Sequence, residues 1–350
     1  MRIEQLTFTR FIAAIIIVFF HYGKDLFVFD NSYLRFFIEQ ADVCVSYFFI
    51  LSGFIMIVAY KGKLEINALD FLRSRLARIY PVYFLTIILI FIGLIFLNEF
   101  SIYDLFLNVF MIQSWFPGKA LTLNLPGWSI SVEFFFYVLF PFLFNSIYRK
   151  INIKMVTIFI VLFWILSQVV LHFMFSKTSV SIFGLGNSDL LFFPLMHLNE
   201  FLLGNLAGIY FVKRFSDLKK NFDLEILVIL LLIVFALIFS SDLIYHNGLL
   251  AVFFVPLIIL LSANNGVLTT VFINKNCVFL GEISFGIYLL QQPVWVYLSD
   301  YRLNKYFHLD KIEDYTLSFF IRLTVLLFIA AICYKFFELP IRNKIKNKLN

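Results

Sequence analysis

The chain has 350 residues, of which 62% are hydrophobic, 20% aromatic and only 14% charged, with a formal net charge of +6. A mean hydropathy of +0.92 excludes a water-soluble globular enzyme, because several apolar runs are each long enough to cross a hydrocarbon layer of about 30 Å. The positive surplus follows from the orientation of membrane segments and calls for no nucleic acid partner.

The first apolar run, 6–22, carries Arg10 and His21. On a helix their separation returns to within roughly 20° of the starting face and spans about 16 Å along the axis. A cation and an imidazole on one stripe are costly against lipid, so that stripe is expected to face the protein interior or a water-filled cavity. Further runs predict ten membrane helices in all, near 6–22, 43–60, 79–97, 128–147, 154–175, 190–212, 224–241, 247–262, 278–298 and 316–337. An extra stretch, 102–116, has the length of an interfacial or re-entrant segment. Positive residues arbitrate. With ten spans and a cytoplasmic N-terminus, Arg2, Arg10, the 61–78 cluster, 149–154, 213–220 and the C-terminal tail all fall inside. A span at 102–116 puts the last three groups outside, against the positive-inside rule.

The expected architecture is therefore an all-α polytopic membrane protein with both termini cytoplasmic. It forms a single membrane domain over 1–350, with no internal repeat and no appended soluble domain. No cleaved signal is expected, since the first run contains Arg10 and lacks a small-x-small cleavage site. Cys44, Cys277 and Cys333 fall in or beside apolar runs without metal-ligand spacing. They read as small core residues, with no disulfide framework and no metal site.

Arg73, Arg75 and Arg78 are denser than orientation requires and precede Pro81 at the expected head of the third span. Proline suits the first turn of a helix, and a helix N-terminus beside arginines suits phosphate; an anchor for lipid phosphates is the equal alternative. Trp128 opens the fourth span, which runs inward and sets Glu133 about six residues below the outer surface, in the layer of His21. A carboxylate bonded to an imidazole would fix its tautomer and raise its basicity, as a general base requires; the alternative is a structural hydrogen bond between helices. Trp128 itself reads as a sugar-facing aromatic or an interfacial belt residue. Ser52-Gly53 reads as helix packing, and Gln291-Gln292-Pro293 as amides that contact a polar substrate or stitch helices. His172, His246 and His308 read as loop or boundary residues.

These segments together resemble the integral-membrane acyltransferase family 3, whose members O-acylate surface glycans and other extracytoplasmic acceptors. The similarity lies in Arg10 with His21, in Phe48-Phe-Ile-Leu-Ser-Gly-Phe54, in Arg75-Leu-Ala-Arg78-Ile-Tyr-Pro81 and in Trp128-Ser-Ile-Ser-Val-Glu133. Phe201-Leu-Leu-Gly204, Gly281-Glu-Ile-Ser-Phe-Gly-Ile-Tyr-Leu289 and Glu338-Leu-Pro340 extend it almost end to end. Two positions depart from the pattern: Ser46 stands where Asp is usual and Gln291 where His is usual, so neither is assigned catalysis.

The resemblance implies a protein of the bacterial cytoplasmic (inner or plasma) membrane. It also implies an acyl-CoA donor, most simply acetyl-CoA, used as a substrate and not as a permanently bound cofactor. Arg75 and Arg78, with Arg73, would hold the CoA phosphates on the cytoplasmic side, and Arg10 would line the route above them. His21, oriented by Glu133, would deprotonate a hydroxyl of a glycan or lipid-linked glycan at the outer side, with Trp128 and Gln291 near that acceptor. An acyl-histidine intermediate at His21 is the alternative mechanism. The rival function is a transporter or flippase for a lipid-linked glycan, since intramembrane Arg, His and Glu also mark transport pathways.

Overall fold

The computed structural model describes residues 3–176, 186–239, 243–309 and 315–347. Among them the chain is helical without a named strand, and a helix stands at each expected position. These are α1 (Gln5–Tyr22), α2 (Cys44–Tyr60), α3 (Ala68–Leu97), α4 (Gly127–Phe142), α5 (Ile153–Ser176), α6 (Leu198–Tyr210), α7 (Asp223–Phe239), α8 (Ala251–Ala263), α9 (Lys275–Tyr297) and α10 (Tyr315–Cys333). Among the described residues, 7 helical stretches are long and apolar enough to cross a membrane; α6, α7 and α8 are shorter, at 13, 17 and 13 residues. The protein is an all-α polytopic membrane protein, the form in which backbone polar groups are satisfied within each segment.

Exposure sorts the helices. α5 and α7 turn Phe159, Leu162, Leu166, Leu231 and Phe235 outward, a surface fit for hydrocarbon. α2 is buried along most of its length, from Val45 to Val58. It lies against α6 so closely that a Cβ on Gly53 would strike the Phe201 carbonyl oxygen, and one on Gly204 would strike that of Ile50. Lipid gives helices no hydrophobic reason to associate, so close backbone approach through small residues takes over. The Ser52-Gly53 pair thus serves packing through its glycine. Gly281 of α9 meets the Thr7 carbonyl of α1 in the same way, which clamps these two helices side by side.

Two features differ from expectation. α3 begins at Ala68, where the Asn67 side chain accepts from the Leu69 and Asp70 amides at 3.0 and 3.2 Å. Pro81 therefore lies inside the helix, and the helix N-terminus that was expected beside Arg75 and Arg78 is more than one turn away. Proline is tolerated there because neighbouring helices can compensate the lost backbone bond in a membrane bundle. The 102–116 stretch folds as a short helix, Ile102–Val109, capped by Ser101, and a single turn, Gln113–Trp115. It is stitched to the bundle by polar side chains: Tyr83 donates to the Asn108 carbonyl at 2.8 Å, and the Gln113 amide donates to the Gly127 carbonyl at 2.8 Å. Asn124 extends this stitching to α3 and α9, through Thr86 at 3.0 Å and the Leu289 carbonyl at 3.1 Å.

Candidate functional site

A cavity of about 100 Å³ lies between α1, α2, α3, α4 and α9. Its polar walls are Arg10 from α1, Ser52 from α2, Arg75 and Arg78 from α3, Ser129, Glu133 and Tyr137 from α4, and Ser284 and Tyr288 from α9. The arginines outnumber the single carboxylate, so the cavity is electropositive and suits an anion.

Arg75 is prepared for such a ligand. Its guanidinium lies 5.1 Å from the ring centre of Phe71 and 5.9 Å from those of Tyr60 and Tyr137. Stacking on aromatic faces orients a guanidinium without consuming its N–H donors. Its Nε is buried without a hydrogen-bond partner, a donor left for something the cavity receives. Arg78 lies within electrostatic range of Arg10, Arg75 and Glu338, and Glu338 also pairs with Arg342 at 3.8 Å. Arg73 is elsewhere. It is more than half exposed and pairs with Asp70 at 3.7 Å, because its place on α3 turns it away from the cavity that Arg75 and Arg78 face.

Glu133 belongs to this cavity and not to His21. Its Oε1 accepts from the Tyr137 hydroxyl at 2.6 Å and the Ser52 hydroxyl at 3.3 Å. His21 Nδ1 instead lies 2.8 Å from Gln291 Oε1. The expected Glu133–His21 pair is thus replaced by two separate arrangements, since α4 points Glu133 at α2 while α1 packs along α9. A single cavity running from Arg10 to His21 is likewise corrected: the walls include Arg10 but not His21. At the far end Tyr288 and Ser129 share a hydrogen bond of 2.9 Å. Both hydroxyls also reach the Pro126 carbonyl, Ser129 at 2.9 Å and Tyr288 at 3.4 Å. Beyond this closure Gln291 links Tyr288 to His21.

Gln291 is fully buried and bonded at both ends of its amide, at 2.6 Å to the Tyr288 carbonyl and 2.8 Å to His21. It is not free to contact a substrate. Trp128 is also buried, at 5% exposure, so it is neither a belt residue nor an open sugar platform. Its ring packs against Phe192, His197, His246 and Phe49 at 5.0, 5.1, 5.3 and 6.0 Å. Next to it, Glu200, a polar intrusion legible in the sixth apolar run, meets a histidine that the sequence did not single out: His197 Nδ1 and Glu200 Oε2 are 2.8 Å apart and wholly buried. His197 Nε2 also meets the Leu191 carbonyl at 2.8 Å. The signal was the i, i+3 spacing of these two residues, which sets both on one helical face. His246, expected at a boundary, sits in the turn before α8 but is buried. That burial, reinforced by His197 alongside, holds its imidazole down to about 3, against a weaker upward pull from Asn247.

A family model described as "Acyltransferase domain" matches residues 3–335. Among curated proteins, the O-acetyltransferase OatA of Staphylococcus aureus is 28% identical over 333 residues, covering 86% of this chain and 52% of the relative. The acyltransferase MdmB of Streptomyces mycarofaciens is 31% identical over 164 residues, covering 44% of this chain and 42% of the relative. The chain spans about half the length of the curated relatives it matches. No solved structure matches.

Proposed function

The chain belongs to the acyltransferase family whose domain model covers its residues 3–335, and on that premise we propose that it is a membrane O-acyltransferase. It moves a short acyl group, most simply acetyl, from cytoplasmic acyl-CoA to a hydroxyl of an extracytoplasmic or lipid-linked glycan. The observation that carries this reading is the electropositive cavity: it brings Arg10, Arg75 and Arg78 together, leaves Arg75 Nε without an acceptor, and ends at Tyr288, directly below the Gln291–His21 pair.

In this reading Arg75 and Arg78 hold CoA phosphates by charge-assisted hydrogen bonds, and Arg10 extends the positive wall. The slender pantetheine arm carries the thioester past Ser52 and Ser284 toward Tyr288 and Ser129, whose hydrogen bond opens to admit it. His21 takes the proton of the acceptor hydroxyl as its oxygen attacks the thioester carbonyl. Glu133, tied to Tyr137 and Ser52, keeps the middle of the cavity polar and offsets part of the arginine charge.

The test is transfer of label from acetyl-CoA to membrane glycan in vesicles carrying the wild-type chain or His21→Ala. Loss of acetylated glycan in a variant that still inserts is expected; normal product from His21→Ala would refute the assignment. Glycan movement across the membrane without acetylation would favour a transporter instead.

A further inference from the structure

The amide of Gln291 has one orientation that satisfies both of its neighbours. Its nitrogen lies 2.6 Å from the Tyr288 carbonyl oxygen, which carries no proton, so an N–H of the amide must point there. The amide oxygen is thereby turned to His21 Nδ1 at 2.8 Å. That oxygen only accepts, so Nδ1 carries the proton and, in the neutral ring, Nε2 keeps its lone pair. Among the described residues the imidazole makes no other hydrogen bond. Gln291 is fully buried on α9, and α9 is locked along α1 by Gly281 against Thr7, so the backbones that set this geometry are held by packing.

We propose that Gln291 is a positioning residue that fixes the tautomer of His21 and presents Nε2 unprotonated to the acceptor hydroxyl. This deepens the reading of His21 as the base and rests on it. The hydroxyl proton moves to Nε2 as the acceptor oxygen bonds to the thioester carbon. Collapse of the tetrahedral adduct breaks the carbon–sulfur bond, and the proton on Nε2 passes to the departing thiolate to give CoA. Gln291 exchanges no proton: its oxygen accepts the Nδ1–H before and after the transfer. An amide does this without placing a fixed negative charge beside the ring, where Lys24 is the charged side chain in range.

The test uses the full chain in vesicles, with labelled acetyl-CoA and the membrane's own glycan. Gln291→Leu removes the acceptor for Nδ1–H, and the rate at saturating acetyl-CoA is expected to fall about tenfold or more. The acetyl-CoA concentration giving half that rate stays unchanged, because the arginines are untouched. Gln291→Glu keeps an acceptor oxygen and should recover most of the rate, with the acid limb of the pH–rate profile moved upward because a carboxylate favours the imidazolium. A Gln291→Leu protein transferring at the wild-type rate would overturn the proposal, and so would a Gln291→Glu profile whose acid limb does not move. Should the leucine variant fail to insert, the glutamate profile alone decides. His21→Ala separates the two levels. If it transfers normally, the base reading itself fails; if it is inactive while Gln291→Leu is normal, only the role of Gln291 is lost.

Discussion

Arg73, Arg75 and Arg78 share one short stretch of α3, yet their surroundings assign them different work. Arg75 and Arg78 line the cavity, whereas Arg73 is exposed and paired with Asp70 at 3.7 Å. Arg75→Ala and Arg78→Ala should each raise the acetyl-CoA concentration for half-maximal rate by about tenfold, the scale of one charge-assisted hydrogen bond of roughly 1.5–3 kcal/mol. Arg73→Ala should leave it within about twofold, since an exposed pair contributes roughly 0–1 kcal/mol. Steady-state titration of acetyl-CoA distinguishes them, and an equal effect from Arg73→Ala would contradict the assignment. The sequence placed chemistry at Arg10, His21 and Glu133 because charge at lipid depth needs a reason. It could not pair them. Depth follows from counting residues, but the rotation of one helix against another does not, and so Glu133 was given to His21 when its partners are Tyr137 and Ser52.

At the level of elements, α2 and α6 form the tightest seam. Gly53 and Gly204 allow the two backbones to touch, and no side chain can be added without separating the helices. Gly204→Leu should destabilise the protein by about 1–3 kcal/mol or more, seen as a lower unfolding temperature in detergent, while Gly62→Ala, at a position with nothing within 4 Å, should leave it unchanged. Each apolar run appears as a helix because its length and composition are local properties. The start of α3 was misjudged for the opposite reason: proline marks a helix start in water, but α3 runs through Pro81 from a cap at Asn67. The 102–116 stretch shows length reasoning succeeding, since Ile102–Val109 and Gln113–Trp115 are both too short to cross. Its hydrogen bonds to Tyr83 and Gly127, and those of Asn124 to α3 and α9, were beyond reach, because they join residues of different elements.

Across the whole molecule, the helices place their polar groups at two levels. One end holds the arginine cavity, and the other holds His21, Gln291 and the buried imidazoles around Trp128. The proposed topology puts the arginine end in the cytoplasm. In a cysteine-free background, Leu64→Cys should then be shielded from an impermeant thiol reagent added outside intact cells, whereas Tyr301→Cys should be labelled; both positions are well exposed, at 77% and 71%. The reverse pattern would invert the orientation. The central claim is that donor and acceptor meet from opposite faces, and it is tested most directly by sidedness. Inside-out and right-side-out vesicles carrying the full chain are given membrane-impermeant labelled acetyl-CoA, and labelled acetate on glycan is measured. The account predicts acetylated glycan from inside-out vesicles, none from sealed right-side-out vesicles, loss of the signal in His21→Ala, and a signal in Arg75→Ala that is weakened at low acetyl-CoA and restored at high. Equal labelling from both vesicle orientations would contradict it.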